Sequence, residues 1–254
     1  MPKVSKIDVI AVLSILIGGG LYFVVSNREK EPNIIYAYHK SQFFNYAPFI
    51  ESSVERARSD AKVDLDKVIG GIVPHHIPTT IPLLAEFYTK LKNTRQVKTF
   101  IILGPDHVDR GRGDISVSET NFITPFGTLE PNWDTIERLE KSGFVARDEA
   151  PFDREHSIDS QLLLIGKLFP EARIVPLIFR SSLTNETASA VGQVLAAAAD
   201  DETFIVSSVD FSHYLSEKQA RPIDYLSAKV LGAMNSESAA LVEADSTQAL
   251  AALM

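Results

Sequence analysis

The chain has no cysteine among its 254 residues. Disulfides, thiolate metal ligands and thiol catalysis are therefore excluded within it. It has few basic residues for its size: 25 Lys and Arg against 33 Asp and Glu, a formal net charge of -8. No basic stripe or basic run interleaved with aromatics occurs, so nucleic acid is not an expected partner. No stretch matches G-x-x-x-x-G-K-[ST], which excludes a Walker-type phosphate loop. There is no G-x-S-x-G elbow either, and Ser207-Ser208 falls inside a strand end rather than on a sharp turn, so a serine nucleophile is poorly supported. Internal repeats are absent.

Long apolar runs are scarce as well. The one exception, Val9 to Val25, is interrupted only by Ser14 and by Gly18-Gly19-Gly20. It is short against the roughly 20 residues that span a bilayer. A transmembrane anchor is the first reading. A cleaved signal peptide is the second, although no small-x-small site follows the run. A buried core helix is the third, disfavoured because the run has no polar face. Lys3 and Lys6 argue for a cytoplasmic amino end and an exported globular domain, whereas Arg28 and Lys30 oppose that orientation.

What is present is material for one sizeable α/β domain: 45% hydrophobic and 23% charged residues. Residues 1–30 read as the anchor and its flanks, 31–66 as a linker and an aromatic cap, and 67–254 as the main domain. The cap holds Tyr36, Tyr38, Phe43, Phe44, Tyr46 and Phe49, followed by a charged helical stretch. From Val68 onward the pattern predicts strands at 68–73, 99–103, 114–118, 172–179 and 203–209. Helices are predicted at 79–92, 132–142, 157–168, 184–199 and 217–235. Such alternation argues for a mostly parallel sheet with helices on both faces. Thr124-Pro125-Phe126-Gly127-Thr128 reads as a turn. The chain stops at Ala251-Ala252-Leu253-Met254, within a helical pattern, and a closing strand is expected beyond it.

Four of the six histidines, His75, His76, His107 and His213, lie where a buried strand gives way to a loop. In an open α/β sheet the carboxyl ends of the strands are where ligands bind, so the fold itself can gather these residues. His75 and His76 follow Pro74; neighbours on an extended segment point opposite ways, so one of the two is expected to face the cleft. His107 closes Gly104-Pro105-Asp106-His107, where Asp106 either orients the imidazole or serves the turn. Glu155-His156-Ser157 precedes an amphipathic helix; Glu155 and His156 suit acid–base work, while Ser157 equally suits a helix N-cap with Glu155 solvated. Asp210 and His213 follow a buried strand, and such a pair either binds one metal or sets an acid to orient a base. His39, in the aromatic cap, has no acidic or histidine neighbour in sequence.

Five stretches in this order resemble the Memo family, also called AmmeMemoRadiSam system protein B. They are Gly71-Ile72-Val73-Pro74-His75, Ile101 to His107, Thr124-Pro125-Phe126-Gly127, Glu155-His156-Ser157-Ile158 and Ser207 to Tyr214. The resemblance covers about residues 68 to 235. It implies a fold like that of class III extradiol dioxygenases, which are non-haem iron enzymes. It implies metal ligation by His75 and His107, with Asp210 and His213 lining the same cleft and Glu155 and His156 mapping to the Glu-His-Ser segment. Fe(II) is the metal it favours, with copper or zinc as alternatives, and it implies association with AMMECR-type and radical SAM proteins.

Two departures stand out. His76 replaces the family's usual small residue, and the cysteine that commonly completes the family's site is missing. Either the missing ligand lies beyond Met254, or another group such as Asp210 or His213 completes the site; Asp210 is the expected choice, since two imidazoles and a carboxylate resemble the facial triad of Fe(II) oxygenases. His156, His213 and Glu155 are left for acid–base work. The leading expectation is a membrane-anchored metal-dependent redox or dioxygenase-like protein. Its alternatives are a non-catalytic module binding a small molecule or peptide, and a metal-assisted hydrolase.

Overall fold

The computed structural model describes residues 11–17, 20–26, 38–57 and 68–254. The chain divides into two units, Met1–Ile35 and Tyr36–Met254.

In the first unit, β1 (Ala11–Ile17) pairs antiparallel with β2 (Gly20–Ser26), Ala11 opposite Ser26 and Ile17 opposite Gly20. This corrects the expected transmembrane helix: no helix among the described residues is long and apolar enough to cross a membrane. The glycine triplet accounts for the difference. Each glycine weakens a helix by about 1 kcal/mol, and the flanking Val12, Ile15, Ile17, Val24 and Val25 are β-branched residues that favour strands. Most of the expected linker lies outside the described residues.

The second unit begins with β3 (Tyr38–Lys40) and α1 (Ala47–Arg56), followed by β4 (Gly70–Val73), α2 (Ile81–Thr94) and β5 (Thr99–Pro105). Then come β6 (Ile115–Val117), β7 (Asn121–Thr124), β8 (Gly127–Leu129), α3 (Trp133–Lys141), β9 (Ala146–Arg147) and α4 (His156–Leu168). The chain continues through β10 (Arg173–Phe179), α5 (Asn185–Ala198), β11 (Thr203–Ser208), α6 (Glu217–Gly232) and α7 (Thr247–Leu253).

The main sheet has the order β4-β11-β5-β10-β6-β9. Its first four strands are parallel, β6 runs antiparallel to β10, and β9 is parallel to β6. A parallel sheet must bury both faces, because crossover helices cover it on each side. Strand β5 shows how the residues meet that demand. Phe100 and Ile102 enter one core with Leu84, Tyr88 and Leu162, while Ile101 and Leu103 enter the other with Ile136, Val191 and Leu250. Both layers meet the sheet beneath its carboxyl edge, so the loops after β4, β5 and β11 open on the same side.

A smaller sheet, β3-β7-β8, was not foreseen; the turn at Thr124–Thr128 proves to be the tip of its β7–β8 hairpin. It holds the cap segment beside α4. There Gln42 donates its backbone N–H to Asp159 Oδ2 at 2.8 Å. Burial pushes the Asp159 carboxyl up to about 6, against hydrogen bonds from Ser41 and Gln42 that favour the anion. The folded value exceeds the unfolded one, so the folded state binds the extra proton. Stability from this group is therefore complete below about pH 4 and declines as pH rises toward 6, by about 3 kcal/mol in total. Asp159→Asn removes that decline. Its unfolding free energy relative to wild type should rise by roughly this amount between pH 4 and pH 7.5, measured by urea denaturation. A difference independent of pH would contradict the buried-acid reading.

Candidate metal centre

His75 is carried past the end of β4 by Pro74 and is fully buried, while His76 beside it is exposed. The expected division of the pair thus holds. Its backbone N–H donates to Asp210 Oδ1 at 2.8 Å. Its Nδ1 lies 3.4 Å from Ser208 Oγ, and that hydroxyl itself donates to the Ser157 carbonyl at 2.6 Å. With its proton committed there, the Ser208 oxygen is left to accept from Nδ1–H. The lone pair of His75 then sits on Nε2, facing the cleft.

His107, after β5, is oriented by the same logic from another direction. Its Nδ1 is 2.8 Å from Glu155 Oε1, and its backbone N–H donates to Glu155 Oε2 at 3.0 Å. A carboxylate can only accept, so Nδ1 carries the proton and Nε2 is again directed inward. Asp106, which sequence offered as the orienting acid, instead accepts the N–H groups of Arg110 and Gly111 and holds the following loop. Glu155 is not solvated: it caps α4 by accepting the Ser157 N–H at 2.9 Å and is almost wholly buried.

His156, the first residue of α4, stacks on His107 with ring centroids 4.2 Å apart and lies edge-on to His75 at 5.1 Å. Asp210 and His213 arrive from the loop after β11, with His213 Nε2 3.4 Å from Asp210 Oδ2. His213 is flanked by Ser212 at φ 43° and Tyr214 at φ 56°. Left-handed backbone at two such residues costs on the order of 1–3 kcal/mol each, and it turns the imidazole back toward the sheet. His39 lies apart from these residues, 2.7 Å from Glu149 and packed on Phe122.

Asp245, just before α7, is the residue that sequence reasoning missed. Its backbone N–H donates to the Asp210 carbonyl, and its Oδ1 accepts the Asp210 N–H at 3.2 Å. Its Oδ2 projects among the imidazoles, 3.1 Å from His75 Nε2 and 3.5 Å from His107 Nε2. No sequence signal marks it, because an acid beside a Ser-initiated helix looks like ordinary capping.

The electrostatics follow from this packing. Burial disfavours charge on His107, but the Asp245 carboxylate 3.5 Å away and the hydrogen bond and charge of Glu155 outweigh it and raise the imidazole to about 9. Burial works likewise against the Asp245 anion, and His107 and His75 nonetheless hold its carboxyl at about 2. His156 is shifted down by burial and by the neighbouring His107 cation. Donor atoms of His75, His107 and His156, and of His75, Asp210 and Asp245, form two overlapping groups, each within 4.8 Å. Such a set of nitrogen and oxygen donors suits a divalent first-row metal.

The Memo-like protein family profile matches residues 38–249. A MEMO1 family protein of Caldivirga maquilingensis is 30% identical over 63% of this chain and 58% of its own length. A MEMO1 family protein of Methanosarcina mazei is 26% identical over 69% of this chain and 65% of its own. The chain thus spans about three fifths of the length of these relatives. An uncharacterized protein of Escherichia coli K12 superposes with a TM-score of 0.40 at 15% identity, over 57% of this chain and 64% of that one.

Proposed function

The chain belongs to the Memo family, and we propose that its cleft binds a single metal ion for redox chemistry on a small ligand, with His75 and His107 as imidazole ligands beside a carboxylate. One observation carries this reading: His75 Nε2 is buried with no hydrogen-bond partner among the described residues. Leaving such an atom unsatisfied costs about 1–3 kcal/mol. A metal ion at that point removes the deficit, so the residues present fit the group.

Two imidazoles, a carboxylate and open positions form the ligand set of non-haem Fe(II) enzymes. Fe(II) is accordingly the metal proposed; when bound, it supplies Lewis acidity and redox chemistry. The chain supplies orientation and proton handling. Ser208 and Glu155 fix the two ligand tautomers. His156, half-exposed at the mouth and shifted down, is a neutral proton acceptor for an arriving ligand. His213, held by Asp210, is the second acid–base group.

Elemental mass spectrometry of the full chain, purified anaerobically, tests the reading against a His75→Ala/His107→Ala variant. Near-stoichiometric iron should be present in the wild type and lost in the variant, with circular dichroism unchanged. Zinc instead of iron would favour metal-assisted hydrolysis. A folded wild type that takes up no metal would sink the proposal.

A further inference from the structure

We infer that the carboxylate completing this site is Asp245 rather than Asp210, and that Asp210 is a positioning residue. The inference rests on reading the cleft as a metal site. Its evidence is the different way in which the two side chains are occupied.

Asp210 holds the backbone of His75 with one oxygen and turns the other toward His213. Oδ1 accepts the His75 N–H at 2.8 Å, and Oδ2 lies 3.4 Å from His213 Nε2 and 3.7 Å from His75 Nε2. Asp245 is likewise hydrogen-bonded through one oxygen, but its other oxygen lies closer to the two imidazole ligands. Oδ1 accepts the Asp210 N–H, whereas Oδ2 is buried with no hydrogen-bond partner among the described residues. It lies 3.1 Å from His75 Nε2, itself unpartnered, without the alignment of a hydrogen bond. Two buried polar atoms left in this state, facing each other, mark a position that a third species would satisfy.

The spacing agrees. Donors each about 2.0–2.2 Å from one ion stand roughly 3.0–3.5 Å from one another in tetrahedral or octahedral arrangements. Asp245 Oδ2 is 3.1 Å from His75 Nε2 and 3.5 Å from His107 Nε2. Asp210 Oδ2 falls outside that range of His75 Nε2. The Asp245 N–H donates to the Asp210 carbonyl and the Asp245 side chain accepts the Asp210 N–H, so the backbone of residue 210 aims Asp245 while the Asp210 side chain holds the His75 N–H. A consequence concerns metal choice. A site of imidazole nitrogen and carboxylate oxygen, in a chain without cysteine, selects hard or borderline divalent ions over Cu(I).

The experiment is Co(II) titration of the full chain, followed by calorimetry and by the visible ligand-field spectrum. The set is wild type, Asp245→Asn, Asp210→Asn and the double-histidine variant. Asn at 245 keeps an oxygen for the Asp210 N–H and removes only the anionic donor. Asp245→Asn should weaken Co(II) binding by more than about 100-fold and change the spectrum. Asp210→Asn should lie within the roughly 10- to 100-fold of an outer partner and keep the band positions. Wild-type affinity and spectrum in Asp245→Asn, or equal losses in both aspartate variants, would overturn the assignment. Absence of Co(II) binding by wild type would instead overturn the metal reading itself, and the assignment with it. Should Asp245→Asn fail to fold, anomalous diffraction from a Co(II)-soaked wild-type crystal decides: the ion should lie about 2.0–2.2 Å from Asp245 Oδ2, and an ion on Asp210 alone would refute the inference.

Discussion

Glu155→Ala should lower divalent-metal affinity by roughly 10- to 100-fold and destabilise the fold by about 3–5 kcal/mol. Both effects come from one buried carboxylate with three jobs. It accepts from His107 Nδ1, from the His107 backbone N–H and from the Ser157 N–H that begins α4. Truncation leaves two backbone donors unsatisfied in a dry environment and frees the His107 ring to rotate and to change tautomer. Glu155→Gln separates the roles. Its amide oxygen can still accept one or two of these bonds, but the amide nitrogen then faces a donor. Stability should recover in part while metal affinity stays low. Calorimetric metal titration together with chemical denaturation reads both quantities. Unchanged affinity in Glu155→Ala would mean that His107 needs no orienting partner, and would remove the carboxylate from the site.

The fold was legible because its strands are buried on both faces and its helices are amphipathic. The five strands and five helices expected from Val68 onward appear in the structure with ends shifted by a few residues. What escaped was short or broken. Strands β3, β7, β8 and β9 span two to four residues each, too few for alternation to register. The apolar run near the amino terminus satisfied the hydropathy of a membrane span, but hydropathy is blind to three consecutive glycines.

For the site, position at strand ends was enough to bring His75, His107, Asp210 and His213 to one cleft, since the carboxyl edge of a parallel sheet gathers loops that are distant in sequence, and His156 joins them from the first turn of α4. Partnership was not readable. Asp106 is adjacent to His107 and does not orient it, while Glu155, 48 residues away, does. Sequence proximity cannot reveal which carboxylate a fold turns toward an imidazole. Asp245 shows the limit most sharply: it reaches the cleft only because its segment is hydrogen-bonded to the backbone of Asp210.

Gly104→Ala tests whether the contact between sheet and helix is what sets the site. A Cβ at Gly104 would stand 2.4 Å from Ser157 Oγ, 3.1 Å from Ser157 Cβ and 3.2 Å from Ile158 Cδ1. Rotating the serine hydroxyl relieves the first clash and not the second. Ser157 cannot easily retreat, because its N–H is held by Glu155 and its carbonyl by Ser208. The first turn of α4 must therefore shift as a unit, carrying Glu155 and His156 with it and pulling the carboxylate from His107. The expected destabilisation is about 1–3 kcal/mol, with metal affinity falling alongside it. Adding Ser157→Gly removes the obstructing atoms and should return most of both losses, even though glycine alone weakens a helix by about 1 kcal/mol. That coupling is the decisive quantity, because neighbours that share a contact depart from additivity and independent sites do not. Urea denaturation and metal titration across the four-member cycle measure it. Purely additive effects would mean that α4 yields without disturbing His107. The close approach at Gly104 would then be a matter of packing alone.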